Sequence, residues 1–248
     1  MLNRRQSPPI HEVSKLVLPT PRLVSLDNGI PVYLMDYPDQ DIVKVEVVFN
    51  TGRAEETKRL TSRATARMLR EGSRLYTAAE MAELIDFYGG TVSVPAGLDT
   101  SNFLLYSLKK YAGELIPLFA HMLLEPAFPE AELETFKETS TQELQIDLDK
   151  EEVLAYRQIT ELIFGENHPY GYNSVPENYL ALTPADLFEY HQKWYTPTNC
   201  MIFASGHADA SILALLNKHF GAFRREGMQR VLPEPPGMEP SGKVHMRH

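Results

Sequence analysis

The chain of 248 residues predicts an α+β fold in which an antiparallel sheet carries helices mainly on one face. Three observations lead to it. Two short apolar segments flank the tight-turn string Asp27-Asn28-Gly29, and a third segment, residues 42–50, alternates apolar and polar positions. Beyond these, strand-like stretches come in clusters broken by helical hairpins, which suits layered α+β packing better than a regular βαβ wind.

Taken in order, residues 1–19 read as an extended, Pro-containing lead-in. Residues 22–26 and 30–36 are expected to pair as a hairpin, because Asn-Gly supplies the positive φ that two-residue turns require. In residues 42–50, Val43, Val45, Val47 and Phe49 share one face and Lys44, Glu46 and Val48 the other, the pattern of a strand buried on one side. Residues 60–71 read as an amphipathic helix, with Leu60, Ala64, Arg67 or Met68, and Glu71 recurring at about one turn and Gly72 available as a left-handed cap. Thr77 and Glu80 form a capping box that opens a helix over 78–88, which Gly89-Gly90 stops.

Residues 91–96 and 101–108 read as a strand pair, and helices are expected over 111–124, 129–148 and 151–164. A turn-rich loop, Asn167-His-Pro-Tyr-Gly-Tyr172, precedes a helix capped by Thr183 that has Pro184 at its first position and runs to Trp194. Residues 199–205 form a short apolar strand ending at Gly206, and residues 210–220 a last amphipathic helix. Pro233, Pro235, Pro236 and Pro240 then make a linker. The division is a lead-in over 1–19, one domain over 20–228, and a Pro-rich linker over 229–248 that leads into the start of a further element.

Composition narrows the function classes. With 43% apolar residues the chain can fill a core, and 24 basic against 33 acidic side chains give a net charge of −9. That balance argues against nucleic acid or an anionic membrane as partner. Cys200 is the only cysteine, which excludes an internal disulfide and a cysteine-based metal cluster, and it is read as a buried, inert thiol. None of the eight histidines falls in an HxxEH or HExxH context; His168 is read as fixing its loop, and Trp194 and Tyr195 as packing anchors. No dinucleotide or P-loop glycine motif occurs, nor any run of eighteen apolar residues. The expectation is a soluble protein of the cytoplasm, or of the periplasm if a leader has been removed.

Several strings, in register with this order of elements, carry a resemblance: Asp27-Asn-Gly29, Thr51-Gly-Arg-Ala-Glu55, Met68-Leu-Arg-Glu-Gly-Ser73, Tyr88-Gly-Gly90, His168-Pro-Tyr-Gly171, Leu182-Thr-Pro-Ala-Asp-Leu187, and Tyr195-Thr-Pro-Thr-Asn199 up to Gly206. Over residues 20–225 the chain resembles one domain of the pitrilysin/insulinase metallopeptidases, which include the processing peptidases. The resemblance implies a half-clamshell domain. In active members the helix matching residues 60–71 carries HxxEH, whose two histidines lie on one helical face and grip Zn²⁺ while the glutamate activates its water. Here Arg63 and Arg67 stand at the histidine positions and Ala66 at the glutamate. A guanidinium offers only donors and alanine offers no base.

Glu143 matches the family's downstream third ligand. Two readings of it stay open: a solvated helix glutamate, or a partner of Arg63 or Arg67 in an ion pair that replaces the metal. The resemblance also implies a peptide-binding edge strand through Val92, Ser93, Val94 and Ala96, where an extended peptide would add by main-chain hydrogen bonds. Pro95 removes a donor there, so protection of an exposed edge is the competing reading. The function implied is a non-catalytic subunit or half of a peptidase, without a cofactor of its own, that assembles with a zinc-bearing homologous subunit or second domain and helps enclose peptide substrate. The alternatives are an active zinc metalloendopeptidase using other ligands, and a structural scaffold subunit derived from a peptidase.

Overall fold

The computed structural model describes residues 19–95, 97–228 and 230. The expected lead-in and linker, and position Ala96, lie outside them apart from Pro19 and Arg230. A six-stranded sheet runs in the order β1-β2-β6-β3-β5-β4. β1 (Arg22–Ser25) and β2 (Pro31–Asp36) form the expected hairpin. Gly29 takes φ +88°, and the Asn28 side chain donates to the Phe220 and Phe223 carbonyls, tying the turn to the far end of the chain.

β3 (Ile42–Phe49) pairs antiparallel with β5 (Ser101–Leu108), and β4 (Thr91–Ser93) closes one edge against β5. β6 (Cys200–Gly206) inserts between β2 and β3, so that Ile202 faces Val32 on one side and Val47 on the other. The expected antiparallel sheet is present in the β1–β2, β3–β5, β3–β6 and β4–β5 pairs, and the β2–β6 pair is parallel, so the sheet is mixed. A parallel neighbour needs a crossover of a dozen residues or more, and β6 arrives only after the whole helical middle of the chain.

The helices cover one face, as expected. Val43, Val45, Val47 and Phe49 are fully buried beside Phe103, Leu105, Ile202 and Ala204. The opposite face carries the Lys44–Glu46 ion pair at 2.8 Å and a Tyr33–Phe203 stack at 5.0 Å. Over the buried face lie α1 (Thr61–Met68) and α3 (Ala112–Leu124), with α7 (Pro184–Trp194) packed against α1 and α8 (Ala210–His219) against α3. α2 (Ala78–Phe87) opens on its capping box, and α4 (Glu130–Leu148) and α5 (Glu151–Phe164) follow as a hairpin. A short α6 (Pro176–Leu180) was not expected, although Pro176 at its first position was a readable signal.

Three boundaries moved. The helix expected over 60–71 is α-helical only to Met68 and continues as a 3-10 turn over Leu69–Glu71. Gly72 has φ +136° and ψ +149°, a positive but extended conformation instead of a left-handed helical cap. β4 stops at Ser93 rather than 96, because Val94 is followed by Pro95, which restricts its neighbour and has no amide to donate.

Candidate functional site at the first helix

α1 starts on a left-handed residue: Leu60 has φ +69° and is buried. What holds that conformation is Glu56. Its carboxylate accepts the amide hydrogens of Leu60 and Ser62, both at 3.0 Å, and the Tyr172 hydroxyl donates to it at 2.7 Å. Carboxylate at a helix N-terminus satisfies orphan donors and complements the dipole. Burial raises the Glu56 pKa, outweighing these hydrogen bonds and the Arg53 charge, which pull it down. Arg53 and Arg59 both lie against the Tyr172 ring, at 4.2 and 4.9 Å, and Arg53 donates to the Pro169 and Tyr172 carbonyls. The Thr51–Glu55 and His168–Tyr172 strings therefore meet at the start of α1, which is the structural reason both are there.

The loop before α1 is fixed from several sides. Tyr190 Oη donates to the Gly52 carbonyl at 2.8 Å, Thr51 Oγ1 lies 2.6 Å from the same hydroxyl, and Ser101 Oγ donates to the Thr51 carbonyl. The Gly52 backbone packs directly on the residue 97–99 segment: a Cβ there would sit 2.0 Å from the Leu98 carbonyl oxygen. Glu55 accepts from the Gly52 amide and from Arg230 Nε at 3.1 Å, while Arg230 Nη2 reaches Asp99 at 2.9 Å. The Tyr170 hydroxyl also donates to Asp99.

Between α1, α4 and the segment after β4 lies a cavity of about 360 Å³. Arg53, Arg63, Ala66, Arg67 and Glu143 all line it, with Val94 and Pro95 on the strand side. Thr61, Ala64, Thr65 and Met68 are buried against the core, Ala66 is half-buried, and Arg63, Arg67 and Glu143 are exposed to the cavity and solvent. The structure thus brings Arg63, Ala66, Arg67 and Glu143 together. Among the described residues, neither arginine forms a hydrogen bond or an ion pair with Glu143.

These residues do not fit a zinc ion. Two guanidiniums and a methyl group replace two imidazoles and a base, leaving Glu143 as the one side chain of the four able to ligate a metal. Among the described residues no group of three or more His, Cys, Asp or Glu is arranged to hold a metal ion.

Of the four proposed edge residues, Val92 and Ser93 lie in β4, Val94 lies just past it on the cavity wall, and Ala96 is outside the described residues. β4 ends the sheet, pairing with β5 on one side only. His168 takes a structural place: its Nδ1 accepts the Tyr170 amide and its ring stacks on Phe164. Cys200 is buried, and burial raises its thiol pKa far above the usual range. Tyr195 is fully buried with its ring 4.6 Å from Phe49.

Sequence reasoning missed Glu56 and Arg230. Glu56 was visible as an acidic side chain four residues ahead of the helix start, whereas nothing local marks Arg230 as a partner of Glu55 and Asp99.

Comparisons with known proteins bear on this site. The family model described as Insulinase (Peptidase family M16) matches residues 32–168, more than half of the chain, and the model described as Peptidase M16 inactive domain matches residues 181–246. The chain is 24% identical over 212 residues to the uncharacterized zinc protease YmxG of Bacillus subtilis, covering 84% of this chain and 52% of that protein. It therefore spans about half the length of this curated relative. The crystal structure of a peptidase M16 inactive domain from Pseudomonas fluorescens superposes with a TM-score of 0.81 at 20% identity, covering 87% of this chain and 54% of that one. The first half of the periplasmic protease PqqL from Escherichia coli superposes at 0.73 with 18% identity, covering 88% of this chain and 50% of that one. The matched models establish the family and the fold agrees with it: the chain belongs to the insulinase family of peptidases, family M16.

Proposed function

We propose that this chain is the non-catalytic half of an M16 peptidase, assembling with a zinc-bearing homologous subunit or domain and helping to enclose peptide substrate. The observation that carries the proposal is the occupancy of one helical face: Arg63 and Arg67 stand one turn apart on α1, both lining the cavity that also holds Glu143. A helix so furnished keeps the architecture around a metal site while offering the metal no imidazole and its water no base. The chain itself then needs no cofactor, and the zinc resides in the partner.

Two observations support assembly. The chain covers about half of its relatives. In addition, α5 buries none of its residues, and Tyr156, Ile159, Leu162 and Ile163 are 49 to 65% exposed, an apolar stripe of the kind that marks protein interfaces. Among the described residues no helix is long and apolar enough to cross a membrane. We assign the assembly to the cytoplasm, with the periplasm, where PqqL is named as residing, as the alternative.

The test is to rebuild the site. The purified chain is expected to carry no zinc and to cleave no peptide alone. Arg63→His, Ala66→Glu and Arg67→His together, with Glu143 in place, should give a chain that binds about one Zn²⁺, read by metal analysis after dialysis, and Glu143→Gln in that background should weaken it. Near-stoichiometric zinc and chelator-sensitive cleavage in the unaltered chain would overturn the proposal.

A further inference from the structure

The cavity beside α1 has an electrostatic character opposite to that of the chain as a whole. The chain carries a net charge of −9, yet three guanidiniums, from Arg53, Arg63 and Arg67, line this one cleft against a single carboxylate, Glu143. Arg53 is fixed in place by two backbone carbonyls and the Tyr172 ring. Arg63 and Arg67 make no hydrogen bond or ion pair within the chain among the described residues, although Glu71 on the next turn feels the charge of Arg67. Like charges four apart on a helix repel each other.

Glu55 and Asp99, close in sequence to lining residues Arg53 and Leu98 but not lining the cleft themselves, are both bridged by Arg230. The cleft is therefore left with a surplus of positive charge. Its remaining walls are suited to a peptide, since Val94 continues from the open edge strand β4 and Phe136 supplies apolar surface from α4.

We propose that this cleft binds a peptide carboxylate: an extended segment lies along the free edge of β4, and its carboxylate is received between Arg63 and Arg67. The inference rests on the reading that this half helps enclose peptide, and it names the class of peptide. Guanidiniums pair with carboxylates through two parallel hydrogen bonds, which selects for geometry as well as charge. Glu143 competes with the ligand for the same arginines. The charge of the whole chain disfavours acidic peptides elsewhere on the surface, so the cleft is a local exception and its binding weakens as salt rises.

The test uses the full chain and fluorescein-labelled extended peptides read by anisotropy. One peptide has a central Glu and an amidated C-terminus, a second a central Gln and an amidated C-terminus, and a third a central Gln and a free C-terminal carboxylate. The expected result is that one of the two carboxylate peptides binds at least about tenfold more tightly than the amidated Gln peptide, a difference that a charge-assisted pair supplies. Whichever of the two it is identifies the source of the carboxylate.

Arg63→Gln or Arg67→Gln should abolish the discrimination, Arg63→Lys should retain part of it, and Glu143→Gln should tighten the acidic peptide. Thermal melts of each variant report folding separately. Equal affinity for all three peptides, or discrimination that survives both arginine changes, overturns the inference. Capture of a zinc-bearing homologue is measured in parallel: assembly without discrimination sinks the carboxylate site alone, and discrimination without assembly sinks the subunit reading alone.

Discussion

At the scale of single residues, the side chain on which the site depends is one that does not itself line the cavity. Glu56 holds the first turn of α1 by accepting from Leu60 and Ser62, and it is the acceptor for Tyr172, 116 residues away. Replacing it leaves two amides and a hydroxyl without their partner and a left-handed leucine without support. Glu56→Ala is therefore expected to lower stability by about 2 kcal/mol, combining the loss of a helix cap with that of a buried acceptor. Urea titration followed by circular dichroism measures it, and a change within about 0.5 kcal/mol, the range of an ordinary surface substitution, would refute the role. The arginines differ from Glu56 in what the sequence could say of them. Arg63, Ala66 and Arg67 could be named from the register of the Met68–Ser73 string, because three residues on eight consecutive helical positions are a local pattern. The Glu56–Tyr172 bond could not, since nothing in either string encodes which distant residue completes it.

Among the elements, α5 stands apart. The other long helices bury apolar residues against the sheet or one another, whereas α5 buries none and turns Tyr156, Ile159 and Ile163 outward at spacings of three and four. If this stripe seats the homologous partner, Ile159→Asp with Ile163→Asp should abolish co-purification with that partner. The isolated chain should keep its melting behaviour within about 0.5 kcal/mol, because the exposed positions contribute little to folding. Undiminished co-purification would place the interface elsewhere. The elements themselves were largely legible. The Asp27-Asn28-Gly29 turn, the alternation through Val43 to Phe49 and the capping boxes at Thr77 and Thr183 all act within a few residues, and each produced the element it signals. What sequence reasoning placed less well were ends: β4 and α1 stop where Pro95 and the 3-10 turn at Leu69 intervene.

For the molecule as a whole, His191 predicts how stability responds to acid. It is fully buried on α7, with Nε2 donating to the Leu123 carbonyl at 2.8 Å and Nδ1 accepting from Arg225 at 3.2 Å. Burial lowers its pKa from the ordinary 6.5 to about 3, and the Arg225 charge adds to that, while the bond to Leu123 opposes it. The unfolded chain takes up this proton near 6.5 and the folded chain only near 3, so stability falls as pH drops across that interval. The slope from one such group is at most about 1.4 kcal/mol per pH unit. His191→Gln should flatten the dependence by one proton, read from urea unfolding over the same interval; an unchanged slope would show that other groups govern it.

The sheet order was the least legible feature at this scale, because strand partners are chosen by packing across the whole chain and not by any local signal. It also has a consequence for how the protein is made. β2 and β3 are consecutive in the chain but are not neighbours, since β6 stands between them. A nascent chain that has emerged only as far as α7 therefore holds two separate fragments, β1-β2 and β3-β5-β4, whose facing edges have no partner. Such edges are open to pairing with other chains, and contacts this distant in sequence form slowly. β6, Cys200–Gly206, is what joins the fragments, so this sheet cannot close during synthesis until the residues through Gly206 have left the ribosome.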